Sequence, residues 1–208
     1  MDKPMYIFGC GGHARSIISA LRRFESNRTV ILVDNNCKEN ETILSCETIK
    51  EDKFWEQNGN RFSYIIGIGD NLKRACYFEK MRASGGIAEN VIAESALIGL
   101  RAEIGTAVYV GENAYIGPET KIGNNSIINT AAIVEHECSV GEHVHVAPNT
   151  TVCGRCVIGN YVFLGAGSVV IDNVRICDKV IIGAGSVVTK DIVHPGVYVG
   201  CPAKRIHE

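Results

Sequence analysis

From Ile92 to Val188 every sixth residue is aliphatic, and the register does not slip over seventeen positions: Ile92, Ile98, Ile104, Val110, Ile116, Ile122, Ile128, Val134, Val140, Val146, Val152, Ile158, Leu164, Val170, Ile176, Ile182 and Val188. A helix of 3.6 residues per turn would carry such a series off one face within a few turns, so the stretch is not helical. Many residues two places earlier are small or compact, among them Ala114, Ser126, Ala132, Cys138, Thr150 and Ser168. Two places later stand turn formers and polar residues, among them Pro118, Asn124, Pro148, Asn160 and Asp172. This pattern predicts a parallel β-helix of hexapeptide units with its corner at that later position. Three units would make a triangular coil of about eighteen residues, and successive coils would stack like neighbouring strands. The series then divides into three interior columns, led by Ile98, Ile104 and Val110.

The first ninety residues follow another rhythm. Apolar runs at Met5–Gly9, Thr29–Val33 and Phe62–Gly69 predict buried strands. They alternate with a helix ending near Phe24, a polar loop over 36–47, a short helix from Glu47 to Trp55, and a helix capped by Asp70 or Asn71 that stops at Gly85-Gly86. A short strand over 87–92 leads into the coil, and residues 194–205 read as an irregular tail, basic near its end. Strand–helix alternation with apolar strands predicts a small parallel α/β sheet. The expected division is an α/β domain over 1–90 and a β-helix domain over 91–208.

Within the α/β part, Gly9-x-Gly11-x-x-Ala14 matches the dinucleotide-binding fingerprint, with Asp34 at the end of the second strand. Ninety residues are too few for both halves of a dinucleotide fold, so the reading is a half-Rossmann unit for one nucleotide-like group. Small residues let a phosphate approach the helix N-terminus, and an acid can take a ribose hydroxyl. His13 lies beside the glycines. Gly67-Ile68-Gly69-Asp70-Asn71 ends the third strand at the same sheet edge, where ligands of open α/β sheets sit.

Composition narrows the partners. The formal net charge of −2 gives no case for a nucleic-acid or membrane-surface partner. No apolar run is long enough to span a bilayer, and the N-terminus shows no signal-peptide pattern. The nine cysteines read as reduced thiols of a cytoplasmic protein. Cys153 and Cys156 have C-x-x-C spacing, but Cys156 falls on an interior position and no second pair follows, so no metal site is expected.

Three histidines, His136, His143 and His145, crowd into half a coil. His136 stands at a corner between Glu135 and Glu137. A carboxylate beside an imidazole favours its protonated form, which suits a general base acting on an amine or a hydroxyl.

With these segments in view, the chain resembles the hexapeptide-repeat sugar acetyltransferases of the sialic acid O-acetyltransferase family. It is most similar to the bacterial nucleotide-sugar N-acetyltransferases that modify UDP-4-amino sugars. The likeness runs through Gly11-Gly12-His13, Asp34-Asn35, Gly67-x-Gly69-Asp70-Asn71 with Arg74, Asn129-Thr130, Val134-Glu135-His136-Glu137-Cys138, His145 and the tail from Val199 to Lys204. It implies a left-handed β-helix, an exception to the usual crossover hand. It also implies a homotrimer that binds acetyl-CoA between neighbouring coils, with no metal. His136 would be the general base, with Glu137 increasing its basicity, and Asn129 would position the sugar amine. Gly11, Gly12, His13, Asp34, Asn35 and Gly69 would hold the nucleotide sugar. His145, Ala166 and Ala184 would line the CoA cleft. Asn35 stands where the bacillosamine-pathway enzymes carry a second acid. The implied reaction is direct acetyl transfer to the amine of a nucleotide-activated amino-deoxy sugar for surface glycans. The alternative is O-acetylation of sialic acid or a related sugar, and a further alternative is a non-catalytic β-helix scaffold with a ligand-sensing α/β domain.

Overall fold

The computed structural model describes residues 4–25, 27–38, 40–58 and 61–207. The N-terminal elements are β1 (Met5–Phe8), α1 (Gly12–Phe24), β2 (Val30–Val33), β3 (Thr42–Ile43), β4 (Cys46–Ile49), α2 (Glu51–Gln57), β5 (Ser63–Ile66), α3 (Asn71–Ala83) and β6 (Ile87–Ala88). They build a six-stranded sheet in the order β3-β4-β2-β1-β5-β6, parallel except for the β3–β4 hairpin. Alternation along β1 sorts the core into two layers. Met5 and Ile7 pack with Ala14, Ile17, Ile18 and Leu21 of α1. Tyr6 and Phe8 pack on the other side with Phe54 of α2 and Phe78 and Met81 of α3.

Two expectations fail here. The polar loop over 36–47 contains the β3–β4 hairpin, turned through Leu44 and Ser45 at positive φ. The helix expected from Glu47 is first a strand, and α2 begins only at Glu51. Pairing of residues 47–49 with β2 supplies ladder bonds that local propensity does not register.

From Val91 to Val188 the chain winds as a left-handed parallel β-helix. Each two- or three-residue strand pairs with the one eighteen positions on, as Tyr109 with Ile127 and Ile127 with His145. Three faces result. The first carries Val91–Ile92, Tyr109–Val110, Ile127–Ile128, His145–Val146, Phe163–Leu164 and Val180–Ile182. The second starts at Leu97–Ile98 and the third at Glu103–Ile104. The aliphatic columns form one continuous core. The small companion residues do more than save space. Inside the prism Thr120 Oγ1 donates to Glu135 O at 2.7 Å, Ser126 Oγ to Gly141 O at 3.0 Å and Thr150 Oγ1 to Gly165 O at 2.9 Å. Corner carbonyls that point inward thereby find donors in a dry core.

Each corner spans two residues rather than the one expected. The second sits in the left-handed region, as Asn113, Glu119, Ala131, Glu137, Asn149 and Arg155 do. The expected strand over 87–92 is split: β6 extends the N-terminal sheet, and Val91–Ile92 opens the first face. The tail is ordered, too. Residues Gly196–Val199 pair with Val180–Ile182 of the first face, and Lys204–His207 pair antiparallel with them. Among the described residues no helix is long and apolar enough to cross a membrane.

The N-terminal sheet reaches the coil through α1, whose apolar side shares a cluster with Val91, Ala93, Tyr109 and Ile127. Val91, Tyr109 and Ile127 are residues of the first face.

Candidate functional site

His136 stands on the edge between the second and third faces, the one edge that does not border the first face. Glu137 occupies the left-handed turn position, with φ 58°, and its Oε2 lies 2.9 Å from His136 Nδ1. A carboxylate can only accept, so Nδ1 carries the proton and Nε2 of the neutral ring is left as an acceptor. The imidazole lies over Gly154 of the next coil. A Cβ there would meet His136 Cε1 at 2.6 Å and Nε2 at 2.7 Å. Any larger residue at 154 would push the ring from this position. Arg155 holds Asp172 at 2.9 Å and approaches Glu137 at 3.8 Å, a chain of alternating charge along the same edge. The His136 side chain is 41% exposed, open to a reactant. Cys138, two residues on, is buried with its Sγ donating to Cys153 O at 3.1 Å, and the neighbouring Cys156 thiol, then burial, raise its pKa. Gly154, Arg155 and Asp172 were not singled out from the sequence as site residues, though the eighteen-residue register puts Gly154 one coil above His136.

A second cluster forms where the α/β sheet meets the first face. His145 projects outward from that face, with Nδ1 3.2 Å from Gly69 O and Nε2 3.1 Å from Asn129 Nδ2. The Phe163 ring lies edge-on at 5.1 Å. The His13 ring packs edge-on against Tyr109 at 5.0 Å and lies 6.4 Å from His145. Its Nε2 is out of contact with solvent and has no hydrogen-bond partner among the described residues. Burial, with lesser contributions from His145 and Arg74, pushes the His13 pKa down to about 3. Burial, then the Arg74 charge, pushes His145 down to about 4. Both rings are neutral at ordinary pH. A groove of about 540 Å³ opens beside His145, lined also by Gly69, Asn71, Tyr161, Phe163 and Lys179 among others. His143, the third histidine of the group, does not join this site. It is buried at a corner, bonded to Asn125 at 2.8 Å and packed on Tyr161 and Phe78.

The glycine-rich turn has the geometry its spacing predicts. Gly9 has φ 109°, and a Cβ on Gly67 would meet Ala14 Cβ at 2.9 Å. The helix α1 thus lies directly against the third strand's end. Gly11 is the N-cap and no side chain among the described residues caps the helix, so its first N–H groups can meet an anion. The acid at the strand end is already engaged. Asp34 accepts from Cys10 N and Sγ at 3.1 and 3.2 Å and from Asn36 N at 2.9 Å. Burial alone would raise its pKa, but these donors outweigh burial and hold it low. The Cys10 thiol is pushed up to about 11 by burial and by Asp34. Asn35 Oδ1 accepts from Glu51 N at 3.1 Å, so its side chain ties the strand end to α2.

Of the expected site residues, the fold brings His13, Gly69, Asn129 and His145 together. Gly11, Gly12, Asp34 and Asn35 flank them along the same sheet edge. Ala166 and Ala184 stack on each other at the corner after the first face, Gly185 N donating to Ala166 O at 2.9 Å. His136 and Glu137 lie apart from all of these in the single chain. Among the described residues no group of three or more His, Cys, Asp or Glu side chains could hold a metal ion.

Comparison with known proteins follows the same two-part geometry. Residues 4–81 match the model of the PglD N-terminal domain, and residues 155–190 match the model of the bacterial transferase hexapeptide (six repeats). No curated protein sequence matches the chain. Among solved structures, a histidine mutant of perosamine N-acetyltransferase from Caulobacter crescentus, in complex with CoA and GDP-perosamine, is 32% identical. The match covers 99% of this chain and 97% of that one, with a TM-score of 0.90. The chain belongs to the hexapeptide-repeat sugar acetyltransferase family. Two further members of the fold are more distant in sequence. The acetyltransferase domain of PglB from Neisseria gonorrhoeae FA1090 is 23% identical over 99% of this chain and 100% of that one, TM-score 0.93. WeeI from Acinetobacter baumannii AYE is 20% identical over the same shares, TM-score 0.91. As a sugar acetyltransferase of this family, the protein is an acyl-transfer enzyme whose site must accommodate a thioester and an acceptor sugar.

Proposed function

We propose that the protein transfers the acetyl group of acetyl-CoA to the amine of a nucleotide-activated amino-deoxy sugar destined for surface glycan, by direct attack within a ternary complex. The observation that carries this reading is the Glu137–His136 pair over Gly154, which leaves a basic ring nitrogen facing outward. The full-length likeness to an enzyme crystallised with CoA and GDP-perosamine supports the choice of substrates. The sugar ammonium releases one proton to solvent, and His136 Nε2 takes a second from the resulting amine as nitrogen attacks the thioester carbonyl. The tetrahedral intermediate collapses with loss of CoA thiolate, which recovers a proton from the imidazolium. The products are the N-acetylated sugar and CoA thiol. No acyl-enzyme is needed, and Cys138 faces the core.

The nucleotide sugar binds residues 1–90 at the α1 N-terminus, along Gly11, Gly12, His13, Asp34, Asn35 and Gly69. Residues 91–208 carry the transfer chemistry. Asn129 and His145 meet the reacting groups, and CoA runs past Ala166 and Ala184. Because His136 sits on the edge away from the first face, it serves a neighbouring chain's substrate in a homotrimer. A cytoplasmic setting, where acetyl-CoA and nucleotide sugars are made, suits this chemistry.

Acetyl-CoA consumption measured with UDP-, GDP- and dTDP-amino sugars, and with sialic acids, tests the proposal. Thioester cleavage dependent on one nucleotide amino sugar is the expected result. Cleavage with sialic acid alone would replace it with O-acetylation, and no cleavage with any acceptor would leave a binding scaffold.

A further inference from the structure

Arg74 is the largest fully buried side chain of the protein's described residues, 1% exposed, and no carboxylate lies within ion-pair distance of it among them. A guanidinium so placed loses its hydration with only the Asp70 charge, beyond ion-pair distance, acting against burial, and burial prevails and lowers its pKa to about 9. As packing material an apolar side chain would serve better. What an apolar side chain lacks is a rigid fork of five N–H donors. Here the fork is spent on backbone from three separate segments. Nε donates to Asn125 O at 2.9 Å, and Nη2 donates to His143 O at 2.9 Å and Val144 O at 3.2 Å, all on the coil. Nη1 donates to Gly69 O at 2.9 Å and Ile68 O at 3.4 Å, and Nη2 to Asn71 Oδ1 at 2.8 Å, all on the loop that ends the third strand. Asn71 in turn donates to Tyr161 O at 3.2 Å and Val162 O at 3.0 Å, a second tie between that loop and the coil.

One of those carbonyls has a second customer. Gly69 O, held by Arg74, also faces His145 Nδ1 at 3.2 Å. A carbonyl only accepts, so Nδ1 must carry the proton of the neutral ring, and Nε2 must be the acceptor. The Asn129 group facing Nε2 is then its nitrogen, at 3.1 Å, and Asn129 Oδ1 turns to Thr130 N at 2.8 Å. One proton of the Asn129 amide is left for a ligand, as a donor.

We propose that Arg74 is a positioning residue for acetyl transfer: by pinning Gly69 O beside His145 it sets the tautomer of His145 and, through it, the direction of the Asn129 amide. This rests on the acetyl-transfer reading only for its catalytic consequence, since the tautomer is readable without turnover. It also assigns the amide a polarity. In this setting Asn129 donates, which suits the thioester carbonyl oxygen and the oxyanion derived from it, a role beyond the positioning of the sugar amine that the family resemblance implies.

The test uses the full-length assembled protein with ¹⁵N-labelled histidine. In the wild type the side-chain spectrum of His145, assigned by its loss in His145→Gln, should report a single Nδ1–H tautomer. In Arg74→Lys, whose compact ammonium cannot span the three segments, a mixture of tautomers is expected. Turnover should fall about tenfold or more in the wild-type background but less than about twofold in the His145→Gln background, because residues acting through one network are non-additive. Asn71→Ala loosens the same loop while keeping the guanidinium, and it should move the spectrum in the same direction if Arg74→Lys does not assemble. An unchanged single tautomer in whichever of the two variants assembles would overturn the proposal, as would a loss of turnover of equal size in both backgrounds. Absence of acetyl transfer in the wild type would remove the proposed function and leave the spectroscopic result to decide the Arg74 assignment.

Discussion

The coil and the α/β unit are built on opposite economies of residue choice. In the coil each unit touches the unit eighteen residues before and after it, so the same few demands recur at every turn. An aliphatic group, a compact companion and a tight corner are enough, and the corners accept Glu, Arg, Tyr and Lys in the left-handed region as well as Asn and Gly. In the α/β unit nothing repeats. Gly9, Gly67 and Arg74 each answer a single local constraint: a positive φ, a 2.9 Å approach to Ala14, and a meeting of three segments. The difference shows where a chain of this kind tolerates change. Of the proposed site residues, His145 takes an ordinary outward position that the α/β unit has covered where the two modes meet, and His136 an ordinary corner on the edge away from that seam.

The sharpest way to separate corner from site is His136→Ala. Turnover should fall about a thousandfold, the range for loss of a general base, while thermal melting and the mass of the assembly stay as in the wild type. Near-native turnover would reduce His136 to one corner among many.

Acid should find the seam before it finds the coil. His13 and His145 have folded pKa values near 3 and 4, below the ordinary value near 6.5. The unfolded chain therefore binds protons that the native state refuses, and stability falls as pH drops from about 6.5 toward 4. For His145 the loss by pH 4 is on the order of 3 kcal/mol, read as a falling denaturation midpoint. In His145→Gln the slope over that window should flatten. An unaltered slope would mean that the ring is not held neutral by burial.

Within the core, Val146→Ala removes two methyl groups from an interior column and should cost about 2 kcal/mol in a denaturant titration. Val30→Ala, the same deletion in the layer between sheet and α1, should cost about 3 kcal/mol, because its neighbours belong to different elements and close the cavity less readily. Equal costs would argue against the contrast. The smallest effect is expected at the corners. Ala131, at φ 52°, replaced by Gly should stabilise by about 1 kcal/mol or less. The reverse exchange Gly9→Ala, at φ 109° and 2.9 Å from Ile68, should destabilise by more than that.

The coil was legible because its physics is nearly one-dimensional. Ile98, Ile104 and Val110 could be assigned to their faces by counting eighteen residues, and the sheets bear that out. The second corner residue escaped because it has no common chemistry: Ala131, Glu137 and Arg155 adopt the same backbone for the same reason, the tightness of the turn. The β4 strand escaped because its partner, β2, lies sixteen residues away and outweighs the local helical preference of Glu47. In the tail, the pairing of 196–199 with the last coil rests on an open sheet end, which no local pattern announces.

By itself the amino-acid order determined the prism, its period, the alternation of strand and helix before it, and the short inventory of His, Asn and Gly residues to which the proposed chemistry is assigned. Tertiary structure alone decided which of these meet. It joined His145 to Gly69 and Asn129, set His136 on the edge away from them, and buried Arg74 as the clamp between loop and coil. The reason is physical. Periodic stacking depends on neighbours a constant distance along the chain, whereas the docking of one sheet onto one face depends on surfaces that come into being only once both have folded.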